Sequence, residues 1–148
     1  MTKPAPTRQI VDTLESQSPG CVIESSDKEI VVKTESLLAV ASYLKNSPEL
    51  DFDYLNWVTA VDYNDHFMVI YNFISLKNNT SLTLKTRCND RANPKIPSLT
   101  GIWKGANMQE REIYDLMGIR FEQHPNLKRI FLWDDFKGYP LRKDFVSG

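Results

Sequence analysis

Apolar and polar positions along this 148-residue chain repeat with two periods, and the changes of period mark its elements. Ile10, Val11 and Leu14 stand at helical spacing behind Thr7, with Ser18-Pro19-Gly20 to end the helix. Residues 21–24 and 29–33 predict two short strands around a polar turn. Thr34 is placed to cap a second helix, whose Leu37, Leu38, Ala41 and Leu44 share one face before Asn46-Ser47-Pro48 closes it. Three runs of period two come next. Residues 54–62 put Leu55, Trp57, Thr59 and Val61 on one face. Residues 66–75 put Phe67, Val69, Tyr71 and Phe73 on one face, with Met68, Ile70 and Ile74 on the other. Residues 81–88 align Leu82, Leu84, Thr86 and Cys88. The turns between them are short and polar, which predicts antiparallel hairpins. The middle run is apolar on both faces, so a central strand covered on both sides is expected, with Trp57 and Trp103 in the core.

Residues 89–100 read as a polar connection containing Pro94 and Pro97. A third helix is expected from Asn107, with Asn107 as N-cap, Glu110 in capping-box position and Gly118 just past its end. Ile113, Leu116 and Met117 form its apolar stripe. Beyond it the period is lost, while Phe121, Phe131, Trp133, Phe136, Tyr139 and Phe145 crowd into an irregular stretch. The expected fold class is α+β, an antiparallel sheet with flanking helices and an extended, irregular C-terminal tail. The expected organisation is a mobile leader over residues 1–6, a core domain over 7–118 and a partner-docking tail over 119–148.

A net charge of −1 and 41% hydrophobic content exclude a disordered chain and a broad polyanion-binding surface, so nucleic acid is not an expected partner. No apolar run approaches the roughly 18–20 residues that cross a bilayer. The start, Met1-Thr2-Lys3-Pro4-Ala5-Pro6, has no apolar signal-peptide core, so a cytoplasm-like compartment is expected, with any membrane association indirect. Cys21 and Cys88 form no CxxC pair, and two thiols fall short of the four that usually hold an iron–sulfur cluster. With His66 and His124 they suggest no self-contained metal site, and neither GxGxxG nor GxxxxGK[ST] occurs.

The densest chemistry is Glu110-Arg111-Glu112-Ile113-Tyr114-Asp115. Its acids admit three readings: paired carboxylates for acid–base work, a capped helix with solvated or paired charges such as Arg111 with Asp115, or interlocking charges buried against a partner. His124 before Pro125 reads as a hydrogen-bonding residue that orders a loop. Lys128-Arg129 and Arg142-Lys143 are interleaved with Asp134, Asp135 and Asp144, a pattern for ion pairing rather than for a basic patch. Trp133, in the irregular stretch, reads as an interface anchor. No catalytic, metal-binding or cofactor-binding constellation is expected in the chain itself.

The blocks Glu110-Arg111-Glu112-Ile113-Tyr114-Asp115, His124-Pro125-Asn126-Leu127-Lys128-Arg129-Ile130 and Gly138-Tyr139-Pro140-Leu141-Arg142-Lys143-Asp144-Phe145 resemble, in order and spacing, those of the thirty-kilodalton subunit of the proton-pumping NADH–quinone oxidoreductase, respiratory complex I. Asp62-Tyr63 followed by Phe67-Met68-Val69-Ile70-Tyr71 is similar to that family's central hairpin. Met108, Met117, Trp133, Phe136 and Tyr139 depart from the residues usual in the family, mostly by apolar or aromatic exchange. The resemblance implies a peripheral-arm subunit without cofactors, with FMN and iron–sulfur clusters held by partner subunits. It implies contact with the hydrogenase-like quinone-site subunit and with cluster-bearing subunits, peripherally at the cytoplasmic face of the cell (inner) membrane. Under it, Glu110, Arg111, Glu112, Asp115, His124, Arg129, Arg142, Lys143 and Asp144 form a polar network where the fold meets its partner, and Trp133, Phe136 and Tyr139 are apolar anchors. A membrane-bound hydrogenase or a ferredoxin- or F420-linked relative is the alternative assembly, and a free-standing binding module the alternative class.

Overall fold

The two expected hairpins stand at the centre of the computed structural model, which describes residues 2–146. Strands β4 (Tyr54–Asp62), β5 (Phe67–Ser75) and β6 (Thr80–Cys88) run antiparallel, with Asp62 opposite Phe67 and Ser75 opposite Thr80. Asn64 and Asn79 take the positive φ that each tight turn needs (75° and 54°). Strand β2 (Val22–Ser25) pairs antiparallel with β3 (Glu29–Val32), and β3 lies parallel to β6, with Ile30 opposite Leu84. The sheet order is β2-β3-β6-β5-β4, mixed but mostly antiparallel. Helices α1 (Thr7–Gln17), α2 (Leu37–Asn46) and α3 (Ala106–Met117) complete the α+β architecture.

The leader expected to be mobile instead contributes β1 (Lys3–Pro4), parallel to the start of β6. The Lys3 N–H donates to the Asn79 carbonyl and the Ala5 N–H to that of Ser81, both at 3.0 Å, and Ala5 is buried. Pro4, which has no N–H, sits between the two donors.

One core fills the face of the sheet that carries Phe67, Val69, Tyr71 and Phe73, covered by Ile10 and Leu14 of α1, Leu37, Val40, Ala41 and Leu44 of α2, and Ile113 and Met117 of α3. Burying each such large side chain contributes roughly 1.5–3 kcal/mol. Leu38 does not join the α2 face and is 44% exposed; Val40 completes the i, i+3, i+4, i+7 stripe that begins at Leu37. A 3-10 turn, Thr34–Ser36, precedes α2, and the Thr34 hydroxyl donates to the Arg87 carbonyl (2.7 Å) instead of capping the helix.

A bulge between Leu55 and Trp57 changes the phase of β4, so Leu55 and Val58 point inward. Trp57 is therefore 40% exposed rather than in the core. Trp103 is in the core: its indole N–H donates to the Phe52 carbonyl (3.0 Å) and its ring stacks on Phe73 at 4.4 Å. The second face of β5 is covered only in part: Met68 and Asn72 are buried, while Ile70 and Ile74 are half-buried. Met68, Ile70, Asn72 and Ile74 lie outside the core cluster, and Asn72 is held by Asn56, Ser81 and Thr83 from neighbouring strands.

The connection after β6 contains β7 (Lys95–Pro97), which pairs in parallel with β8 (Arg120–Glu122). Ile119 and Phe121 are buried, so the chain becomes irregular only after β8. Helix α3 begins at Ala106, one residue before the expected cap, with no side-chain cap at its N-terminus. Gly118 ends it as expected, with φ at 75° and its N–H donated to the Tyr114 carbonyl at 2.9 Å.

Candidate functional site

The acids of α3 face different surroundings. Glu110 is fully buried; Ser98 donates its hydroxyl to Oε1 (2.6 Å) and Leu99 its N–H to Oε2 (2.8 Å). The carboxylate thus ties α3 to the preceding loop and closes no capping box. Burial outweighs those two hydrogen bonds and pushes its pKa up to about 7. The Tyr71 phenol, also fully buried, is raised well above its ordinary value by burial and then by the charge of Glu110.

Asp115 is also fully buried but faces the C-terminal segment. Its Oδ2 accepts three consecutive backbone N–H groups, from Ile130 (3.0 Å), Phe131 (2.7 Å) and Leu132 (3.2 Å). Its Oδ1 lies 3.5 Å from Nη1 of Arg129, whose side chain is only 9% exposed. Arg129 also donates to the Gly138 carbonyl (3.0 Å) and lies over the rings of Tyr139 (4.8 Å) and Phe136 (5.6 Å). Arg111, expected to pair with Asp115, instead donates to the carbonyls of Lys128 (3.1 Å) and Arg129 (3.4 Å). Acid and base on this helix therefore take up the donors and acceptors of one backbone stretch, residues 128–132.

The same segment is held again further on. Leu141 donates its N–H to the Leu116 carbonyl (2.9 Å), and Arg142 its Nε to the Met117 carbonyl (2.6 Å). That places a cation at the negative end of the helix dipole. The Arg142 guanidinium also lies between the rings of Phe67 (5.2 Å) and Tyr139 (4.9 Å). Asp62, buried at the end of β4, accepts the Lys143 N–H (2.9 Å) and pairs with Arg91, whose Nη2 is 3.1 Å from Oδ2. Arg91 reaches Asp144 as well, at 3.2 Å. The hydrogen bond from Arg91 is the main reason the Asp62 carboxyl is held well below the usual carboxylate range.

The remaining expected residues divide. His124 accepts the Asn126 N–H at Nδ1 (2.9 Å), while its Nε2 donates to the Asn107 carbonyl (3.0 Å); it orders the loop after β8. Glu112 is exposed, and so are the Lys143 side chain and Trp133, the last at 66%. Phe136 and Tyr139 are half-buried against Arg129, and Trp133 meets Phe136 edge to face at 5.3 Å. Glu110, Glu112 and Asp115 do not converge on a common cleft, so the arrangement gives no acid–base pair. Among the described residues no three His, Cys, Asp or Glu side chains come together as metal ligands.

Sequence reading gave no role to Asp62 or Arg91. The alternation that put Trp57 and Val61 inward left Asp62 on the other face, and only the bulge in β4 turns this acid inward, where it needs a partner. Arg91 lies in a polar connection, and no local pattern distinguishes it.

Fold and site together define a small α+β domain that clasps its own C-terminal segment with the charges of one helix. The chain belongs to the family described as Respiratory-chain NADH dehydrogenase, 30 Kd subunit, which matches residues 30–148. It is 39% identical to an NADH-quinone oxidoreductase subunit of this kind from Roseiflexus sp. (strain RS-1), over 94% of this chain and 83% of that one. It is 44% identical to the corresponding NADH-quinone oxidoreductase subunit of Moorella thermoacetica (strain ATCC 39073 / JCM 9320), over 78% of each chain. Among solved structures, a chain of the membrane-bound sulfane sulfur reductase, an archaeal respiratory membrane complex, has the same fold with a TM-score of 0.77. That likeness covers 96% of this chain and 86% of the other at 24% identity.

Proposed function

We propose that this chain is a docking subunit in the peripheral arm of an NADH–quinone oxidoreductase that couples electron transfer to proton translocation. The family match over residues 30–148 carries the reading. In the assembly, electrons leave NADH through FMN and iron–sulfur centres held by other subunits and reduce quinone. This chain holds none of those centres and takes no part in bond making. Its partners are the hydrogenase-like quinone-site subunit and cluster-bearing subunits, and it sits peripherally at the cytoplasmic face of the cell membrane through them. The carboxylates of α3, turned to different surroundings, accord with a structural rather than a catalytic role.

A related assembly with another donor is the second reading, since a sulfane sulfur reductase complex uses the same fold. The test for both is purification of the tagged chain from its native membranes, with mass spectrometry of the subunits that accompany it. A hydrogenase-like large subunit recovered with cluster-bearing subunits and an NADH-binding flavoprotein is the expected result. The same set without the flavoprotein favours the related assembly, and recovery of the chain alone in mild detergent overturns both.

A further inference from the structure

The charged signature of α3 is largely occupied within the chain. Asp115 takes three backbone N–H groups, Arg111 two carbonyls, Arg129 the Gly138 carbonyl and Arg142 the Met117 carbonyl. Asp62, on the sheet, takes the Lys143 N–H. These contacts act on main-chain atoms of residues 128–143 or anchor that stretch to α3, so they set the path of the segment. Three large apolar side chains on the same stretch point the other way: Phe131, Trp133 and Leu141 are 62%, 66% and 59% exposed. Their backbones are held while their side chains are offered to solvent.

Resting on the proposed family function, we infer that Arg111, Asp115, Arg129 and Arg142 are internal positioning residues that fold the C-terminal segment before assembly, and that the contact surface is the apolar trio Phe131, Trp133 and Leu141. Its occupant is a neighbouring protein subunit with apolar sockets set among charges of both signs. The flanking residues decide the occupant. Lys128, Asp134, Asp135 and Lys143 are exposed, and their side chains have no ion-pair partner among the described residues. A hydrocarbon interior would strand these charges, and an anionic lipid surface would repel the two aspartates. A protein surface can match both signs. Because the segment is already ordered, binding avoids the ordering cost of a disordered tail.

The test has two arms. In the first, amide hydrogen exchange is followed on the isolated full chain. The amides of Ile130, Phe131 and Leu132 should exchange at least tenfold slower than unstructured peptide, and Asp115→Asn should accelerate those three while amides of β5 stay protected. Random-coil exchange at 130–132 in the wild type, or no acceleration in the variant, overturns the positioning role. In the second arm, Trp133→Ser, which removes a ring that is 66% exposed and meets the half-buried Phe136 only edge to face, is compared with wild type. It should keep the thermal midpoint and the exchange pattern, yet leave at least tenfold less chain in the membrane complex on a native gel. Wild-type incorporation of Trp133→Ser overturns the contact surface, as does a loss confined to self-association or to binding anionic vesicles. If wild-type chain is itself missing from the complex, the family function fails instead.

Discussion

Gly118 stands so close to Tyr139 that a Cβ on the glycine would lie 2.6 Å from the ring carbons Cδ2 and Cε2, and 2.7 Å from an Nη of Arg142. The left-handed end of α3 is therefore also the floor on which the last part of the chain rests. Gly118→Ala should meet two costs: about 1–2 kcal/mol for an L-residue at positive φ, and displacement of Tyr139 and Arg142. A fall in thermal midpoint, with faster amide exchange at Leu141, is the expected outcome. An alanine variant as stable as wild type would mean that the segment does not rest there in solution.

Glu110 should make stability depend on pH with a definite sign. Its carboxyl holds a proton up to about 7 when folded, against 4.5 as the ordinary value, because burial penalises the charge. The folded state thus binds the proton more tightly. Its contribution is fully present below the unfolded value and is lost as pH rises through about 7. The loss is on the order of 3 kcal/mol. Urea unfolding from pH 4 to 8 should show wild type losing stability relative to Glu110→Gln over that range. Parallel curves would show that the carboxylate is better solvated than its burial implies.

Arg91 should matter chiefly through Asp62. Arg91→Gln leaves a carboxylate that is 2% exposed without its cation, at a cost of about 3 kcal/mol, the low end for a broken buried pair because Arg91 is itself 22% exposed. The double variant with Asp62→Asn should cost less than the two single changes added together. Since the Asp62 pKa is depressed, its contribution is present at neutral pH and lost only as pH falls through that depressed value. At pH 4 the wild type should still hold the Lys143 amide. Additive single-variant costs in a double-mutant cycle would remove the pair from the account.

Two tryptophans give a direct contrast. Trp103→Ala removes a ring stacked on Phe73 and strands the Phe52 carbonyl, so a loss of roughly 3–5 kcal/mol is expected. Trp57→Ala acts on a side chain turned outward by the bulge and should change stability by less than about 1 kcal/mol. Chemical denaturation of both variants decides, and a large loss at Trp57 would place it back in the core.

The central hairpins could be read from the sequence because period-two alternation and short polar turns are local, and local rules suffice for antiparallel neighbours. The same rule misplaced Trp57, since a bulge of one residue reverses the phase of the residues beyond it and no local signal announces it. Leu38 was assigned inward because it is apolar, although it lies about 100° from Leu37 around the helix. At the site, the density of charge among apolar residues singles out Glu110, Arg111, Asp115, Arg129 and Arg142 as charges that need partners. Their partners were not legible: backbone atoms of residues 128–132 and 138 carry no side-chain signature for an acceptor or donor to match.

By itself the sequence determined the α+β class, the hairpin core, the left-handed end of α3 at Gly118 and the family, because each rests on local periodicity, one residue's backbone freedom or a linear motif. Only the tertiary structure decided that β3 and β1 join β6 in parallel, that Glu110 turns to Ser98 while Asp115 turns to the C-terminal segment, and that Asp62 and Arg91 hold its end. Those relationships join positions far apart in the chain through burial and backbone hydrogen bonds, and neither is visible until the chain has closed on itself.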